Sequence, residues 1–371
     1  MRISFWPKRG AGVKNRRMLK LDRVLSVLAT AVILAVAGCG GGGGGGSAPA
    51  EPAPPDPLYV RTSGKDTNSG GDAANALRTI GRAAQLARTG YTIYVGAGVY
   101  TEGNITNGRT GMVPNALSFI ADASGNKTGD SGAVTINGNG SGASAAFNLS
   151  NAPGSLIDGF TITGFSDAGI VIKSSSDDFI IQNCIVTNNP GDGIRVQDSA
   201  SVLVFNNLLT NNGGVGIGIV GQILGSPDAR VLSNTMVGNA VRGLIVGNTN
   251  AASPRAVVHN NIVQGNLGDA NIKVITDPRS DLGYDGNYNL VFPPTYLPSA
   301  ISGGIRGAND ITGDAQFTGD YHLQPSSPAI DRGGPLNLPN SQTTILRGRT
   351  TTGTTLDSGV FDMGFHFLKT R

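Results

Sequence analysis

Three basic residues, Lys173, Arg195 and Lys273, occur at alternating positions of short Gly-Ile or Asn-Ile segments, and Asp167, Asp192 and Asp269 stand a few residues before them. Gln197 follows Arg195 at the next alternate position, and Asp177, Asp178 and Asp198 come just after two of the segments. Two neighbouring carboxylates such as Asp167 and Asp192 repel, which a bound cation or a shared proton relieves. Glycoside hydrolysis needs two carboxyl groups flanking the scissile bond, and Asp192 with Asp167 or Asp198 could supply such a pair. The plainer reading is that exposed Lys and Arg keep a sheet soluble and that turn Asp makes turns. Histidine is scarce: His259 precedes an Asn bend, while His322 and His366 lie near the end of the chain. Cys184 sits among apolar residues as a buried thiol, no Cys/His spacing suggests zinc, and nothing reads as a phosphate loop.

These residues belong to a repeat. Ile181-Gln182-Asn183-Cys184-Ile185-Val186, Val204-Phe205-Asn206-Asn207-Leu208-Leu209, Leu232-Ser233-Asn234-Thr235-Met236-Val237 and Val258-His259-Asn260-Asn261-Ile262-Val263 share one pattern, with Ile157 to Ile162 as a Gly-containing version. The anchors Gly159, Asn183, Asn206, Asn234 and Asn260 are 24, 23, 28 and 26 apart. Each unit carries a second segment, namely Gly169 to Lys173, Gly193 to Gln197, Gly216 to Val220, Gly243 to Gly247 and Asn271 to Ile275. Its second and fourth positions are always apolar, while the third and fifth vary. Alternate side chains of a strand face opposite ways, so the constant set faces a core and the variable set solvent. Stacked coils of this kind form parallel sheets, with coils roughly 4.8 Å apart. The Asn after the first strand suits a left-handed bend and can bond to its counterpart one coil away.

On that scheme Lys173 and Arg195 occupy adjacent outward columns of neighbouring coils, within roughly 8 Å of one another. Arg195 and Lys273 are three coils apart, about 14 Å. In Arg78 to Ala87 the residues Ile80, Ala83, Ala84 and Ala87 share a helical face, which predicts a helix covering the open end of the stack. Thr92-Ile93-Tyr94-Val95 reads as the first strand. Beyond Asp281 the pattern loosens into Pro-rich loops, read as far coils and a C-terminal cap.

The chain has 371 residues, 56 of them Gly and 31 Asn, and 23 Asp against only Glu51 and Glu102. Turn formers in such excess argue against a helix bundle. The formal charge of +3 comes from the first 23 residues, which hold eight of the 28 bases and one of the 25 acids. A 14-residue apolar run, Val24 to Ala37, follows and ends in Val36-Ala37-Gly38-Cys39. Basic start, short apolar core and small residues read as an export signal over 1–38, too short to span a bilayer. Its end looks like a bacterial lipobox, with Cys39 as the lipidated residue. Met18 alone would begin a signal of ordinary length. Residues 39–57, rich in Gly and Pro, form a tether. Removing the leader leaves 20 bases and 24 acids, a balance that argues against nucleic acid. The expectation is a monomeric lipoprotein of the bacterial cell envelope, outside the cytoplasm, held to the outer membrane or cell surface by one acylated cysteine.

Three stretches resemble the right-handed parallel β-helix proteins of the pectate-lyase-like superfamily: Tyr59 to Asp66 with Leu77 to Tyr100, the Asn-anchored coils, and Tyr321 to Asp331 with Asp357 to Phe367. The resemblance implies an all-β, single-stranded right-handed parallel β-helix over 58–371. Its parts would be an N-terminal cap and first strand in 58–103, regular coils in 156–291, and irregular coils with a C-terminal cap in 292–371. It also implies a polysaccharide groove on the outer face of the Gly-Ile sheet. Polyuronate lyases of that superfamily use Lys or Arg as base beside carboxylates that hold Ca²⁺. By that analogy Lys173, Arg195 and Asp192 are the catalytic candidates, Lys273 and Gln197 the substrate contacts, and Asp167 with Asp192 the calcium ligands. No Asp falls in the outward columns of the strands, which departs from such a calcium cluster. The alternative is a β-helix without catalysis, serving as a carbohydrate-binding or structural module at the cell surface.

Overall fold

The computed structural model describes residues 57–108, 114–198, 200–221, 227–247, 255–275, 283–297, 305–352 and 356–367. The leader, Cys39 and the tether up to Asp56 lie outside the described residues. Among the described residues, three parallel sheets wind around one core. Sheet A has nine strands: Leu58–Val60, Thr92–Val95, Ser118–Ala121, Leu156–Asp158, Phe179–Gln182, Ser201–Phe205, Asp228–Leu232, Arg255–His259 and Tyr284–Asn287. Sheet B has eight, from Gly98–Tyr100 through Ile185–Thr187 and Leu208–Thr210 to Leu290–Phe292. Sheet C has seven: Ala145–Leu149, Ala168–Ile172, Asp192–Gln197, Val215–Val220, Arg242–Gly247, Ile272–Ile275 and Tyr296–Leu297. From Ser118–Ala121 onward each coil contributes one strand to each sheet in the order A, B, C, which makes the fold a parallel β-helix.

Alternation drives the packing. Ile157, Ile181, Val204, Val231 and Val258 form one inward row in sheet A, and Ile170, Ile194, Ile217, Leu244 and Ile272 form another in sheet C, all fully buried. Near the entry end the rings of Phe119, Phe147 and Phe160 meet edge to face at 5.1 and 5.6 Å. Burying each such side chain contributes about 1.5–3 kcal/mol.

Between sheets A and B the chain bends through one left-handed residue per coil from Gly159 on: Gly159, Asn183, Asn206, Ser233, Asn260 and Tyr288, with φ between 52° and 86°. Ser233, not Asn234, occupies the bend of its coil, because Val204 pairs with Val231. The anchor spacing is therefore 24, 23, 27 and 27, and the sequence-based alignment was one residue out in that coil. Asn234 belongs instead to a buried ladder, Asn207, Asn234, Asn261 and Asn289. Each Nδ2 there donates to the next Oδ1 at 3.0 to 3.1 Å, ending on Asp310 Oδ1. A second ladder, Asn189, Asn212, Asn239 and Asn266, ends on Asn271 where the chain enters sheet C.

Helix Ile80–Leu86 buries Ile80, Ala83 and Ala84. Thr79 Oγ1 accepts from Arg82 N, and the Glu102 carboxylate accepts from Ile80 N and Gly81 N at 2.8 and 2.9 Å. Thr92–Val95 is the second strand, since Leu58–Val60 pairs with it in parallel. Coils also run through residues 114–155, where the Asn-Asn pattern is missing but Ser118–Ala121, Val134–Asn137 and Ala145–Leu149 hold register.

The end of the chain departs from the expected cap. Ile311 extends sheet B by one bridge to Leu290. The chain then runs back along the outside of the stack. Ile345 and Leu346, in and after helix Asn340–Ile345, bury Phe205 and Leu232 on the outer face of sheet A. Met363, Leu323 and Ala329 cover Ile262 and Leu290 of sheet B. Asn206 and Asn260 each grip a peptide group of this return, at His366 and Gly334. Among the described residues no helix is long and apolar enough to cross a membrane.

Candidate functional site on the outer face of sheet C

The middle outward column of sheet C reads Asn148, Val171, Arg195, Gly218, Ile245 and Lys273, paired coil to coil. Beside it run Lys173, Gln197, Val220, Gly247 and Ile275. Asp192 is the first residue of its strand and pairs with Ala168 on the coil before. It stands within the sheet, where the sequence reading put it in a turn.

Arg195 lies between the two aspartates. Its Nη2 donates to the Asp167 carboxylate and to the Asp167 carbonyl, the latter at 2.9 Å. Its Nε stands 3.2 Å from Asp192 Oδ2, within ion-pair range but without hydrogen-bond alignment. Asp192 Oδ1 accepts from Val215 N at 2.8 Å. Burial pushes the Asp192 carboxyl above its ordinary range, and the Val215 amide and the guanidinium only partly offset that. The expected repulsion between Asp167 and Asp192 is thus relieved by Arg195 itself.

That arrangement does not fit calcium. Six to eight oxygens surround Ca²⁺, whereas the oxygens that Asp167 and Asp192 turn toward each other face a guanidinium, and one Asp192 oxygen is held by a backbone amide.

Three coils on, Asp269 is gripped by Arg242 Nη2 at 2.5 Å and Lys273 Nζ at 2.9 Å. Lys273 and then Arg242 hold its carboxyl below the ordinary range. Lys273 therefore has a carboxylate partner of its own. Arg242 escaped the sequence reading although it precedes Gly243 as Asp192 precedes Gly193, the signal that would have found it. Gln197 is buried at 5% exposure, beneath the surface that a ligand would touch. Lys173 is half-buried and has no carboxylate partner among the described residues.

The remaining sequence candidates lie elsewhere. Cys184 is wholly buried, and burial pushes its thiol up to about 12. His259 sits 3.5 Å from Asp285, and His322 stacks on Phe367 at 3.6 Å. His366 is buried in the return, with Nδ1 3.0 Å from the Gly364 carbonyl and Nε2 3.0 Å from Asp357. Asp331, Asp357 and Asp362 cluster there, where Asp362 Oδ1 accepts from Asp331 N and Asp357 Oδ2 from Asp362 N. A polar cavity of about 290 Å³ at the entry end is lined by Arg61, Lys65 and Asn68. The Arg61 guanidinium there is already paired with Asp130 at 2.6 Å.

The family described as the right handed beta helix region matches residues 88–223. A search of curated proteins gives no match. Among solved structures, a pectate lyase is 14% identical, with a TM-score of 0.46 over 83% of this chain and 96% of its own. A rhamnogalacturonan lyase is 12% identical, with a TM-score of 0.43 over 63% of this chain and 74% of its own. Together the three-sheet winding and the family match identify the fold of this chain as a right-handed parallel β-helix.

Proposed function

We propose that the outer face of sheet C binds an extended polysaccharide along the helix axis. The observation that carries this reading is a linear array on one face: Lys173, the Asp167–Arg195–Asp192 bridge and the Arg242–Asp269–Lys273 bridge follow one another up the coils, separated by Gly218, Val220 and Ile245. The returning C-terminal segment packs against outer positions of sheets A and B. Linear polymers of sugar rings match a linear array of this kind better than a compact ligand does. The anchored location belongs to the same proposal, with Cys39 lipidated and residues 39–57 holding the β-helix away from a bacterial membrane.

A second reading, cleavage by β-elimination of a polyuronate, is favoured by Lys173, a cation on this face without a carboxylate partner among the described residues. Such a lysine can take the proton beside a sugar carboxylate whose charge a neighbouring cation offsets. Incubating the purified protein with polyuronates, with and without Ca²⁺, and following the ultraviolet absorbance of an unsaturated product separates the readings. Product that disappears in Lys173→Ala supports elimination. Binding without product leaves a recognition module, and no binding to any glycan removes the function proposed for this face.

A further inference from the structure

Charge is spread unevenly along the axis of this β-helix. Residues 58–102, which build the entry end, hold five bases (Arg61, Lys65, Arg78, Arg82 and Arg88) against three acids, a balance of +2. Residues 103–371 hold 15 bases against 19 acids, a balance of −4. Arg61 is paired with Asp130. The other four entry bases make no ion pair among the described residues, and Lys65, Arg78 and Arg88 are exposed.

The cap turns these cations outward. Helix Ile80–Leu86 directs Ile80, Ala83 and Ala84 into the core, which leaves Arg82, Gln85 and Leu86 on the opposite side. Leu86 is 38% exposed. Arg82 lies about one helical turn from it, and Arg88 follows two residues later. Long basic stems around an exposed apolar tip suit a headgroup layer, where the stems lie along apolar chains and the heads meet phosphate. Leu58–Val60 is the end strand of sheet A, so the segment leading from Cys39 joins the β-helix at this cationic end. A peptide has no strand edge to extend here, because Gly70 and Leu77 already take the outer edge of Leu58–Val60 through Tyr59 N, Tyr59 O and Arg61 N.

We infer that the entry cap is a contact surface for anionic lipid headgroups. This rests on the reading of Cys39 as lipidated and adds how the body stands: on its entry end, with the coils and the sheet C face directed away from the bilayer. Lys65, Arg78, Arg82 and Arg88 meet headgroup phosphates, and Leu86 dips between them. The negative balance of the remaining coils keeps the side of the stack off the same surface.

The test uses the full chain, made in a bacterium that processes lipoproteins, with Leu86→Cys carrying a fluorophore. Cys184 is buried and an acylated Cys39 has no thiol, so one label per chain is expected. On vesicles of phosphatidylcholine mixed with phosphatidylglycerol, a quencher attached to lipid headgroups should quench the label, and high salt should reverse this. On phosphatidylcholine alone, quenching should be slight. A label at Leu267→Cys, on a coil near the other end, should stay unquenched. Arg82→Glu with Arg88→Glu should weaken the quenching at least about fivefold, and Arg82→Lys with Arg88→Lys should retain it. Equal quenching on both vesicle types, equal quenching at Leu267, or full quenching in the double Glu variant overturns the inference. One label per chain with no quenching leaves the anchor and removes the cap contact. Two labels per chain would show a free Cys39 and remove the anchoring reading, while quenching at Leu86 that still follows phosphatidylglycerol would keep the cap as a lipid surface.

Discussion

Asn206 and His366, 160 positions apart, exchange two hydrogen bonds: the His366 amide donates to Asn206 Oδ1 at 2.6 Å, and Asn206 Nδ2 donates to the His366 carbonyl at 3.0 Å. Asn260 repeats the exchange with Gly334 at 2.7 and 3.0 Å. Asn206→Ala should therefore loosen the returning segment before the coils. The expected loss is about 1–3 kcal/mol, from buried groups left without partners. Hydrogen exchange should quicken first in residues 356–367, and uniform quickening across all coils would refute a role confined to the return.

Glu102, one of two glutamates in the chain, carries the entry cap through Ile80 N and Gly81 N. Glu102→Ala leaves both amides without their acceptor and should cost about 1–3 kcal/mol. Denaturant unfolding measures this, and a midpoint equal to wild type would mean that solvent replaces the carboxylate.

Asn234 donates to Asn261 and to the carbonyls of Val204 and Leu232, and accepts from Asn207. Asn234→Leu should be among the most damaging single changes, at roughly 3 kcal/mol or more, because several buried groups lose partners at once. Ser233→Ala beside it should be nearly neutral or stabilising, since Ser233 Oγ is buried without a partner. Comparable losses in the two variants would contradict a register in which Ser233 takes the bend and Asn234 the ladder.

The Asp192 carboxyl is raised from 3.8, chiefly by burial. A raised value means that the folded state holds this proton more tightly than the unfolded chain does. Its stabilising contribution is full below pH 3.8 and fades as pH rises through the raised value. Asp192→Asn should abolish that part of the dependence. Urea midpoints across the window should fall with pH more steeply in wild type than in the variant, and parallel curves would exclude the burial argument.

Cys184 should not react with a maleimide in the native protein at mildly alkaline pH, because it is buried and its thiol is pushed up to about 12. Labelling should appear only with unfolding. Rapid native labelling at Cys184 would show that the coil opens there.

Much of the coil pattern was legible because the apolar alternation of segments such as Gly193 to Gln197 is imposed by a core that runs the length of the stack. The register at Ser233 was misread because Asn-Asn pairs at Asn206 and Asn260 can be aligned to Asn234 in two ways, and only strand pairing chooses between them. Residues 114–155 escape the repeat pattern because a long loop, 122–133, joins sheets A and B there and no Asn-Asn pair marks the turn. The return of the chain end was illegible, since Leu336, Leu346 and Phe361 show no period and gain meaning only against Phe205 and Leu232. At the site, the column positions of Lys173, Arg195 and Lys273 followed from alternation. That one guanidinium spans Asp167 and Asp192 depends on side-chain direction, which spacing does not reveal.

The asparagine ladders give the stack a polarity as well as a thickness. Every amide from Asn207 to Asn289 accepts through its oxygen from the coil before and donates through its nitrogen both to the coil after and back to a carbonyl of the coil before, so each coil presents to the next the same face that it receives from the last. A 27-residue segment cut between Asn207 and Asn234 and inserted again would meet matching donors and acceptors on both sides. Lengthening by whole coils is therefore open to this architecture without redesign of its interior, with Asp310 and the entry helix serving as fixed bookends.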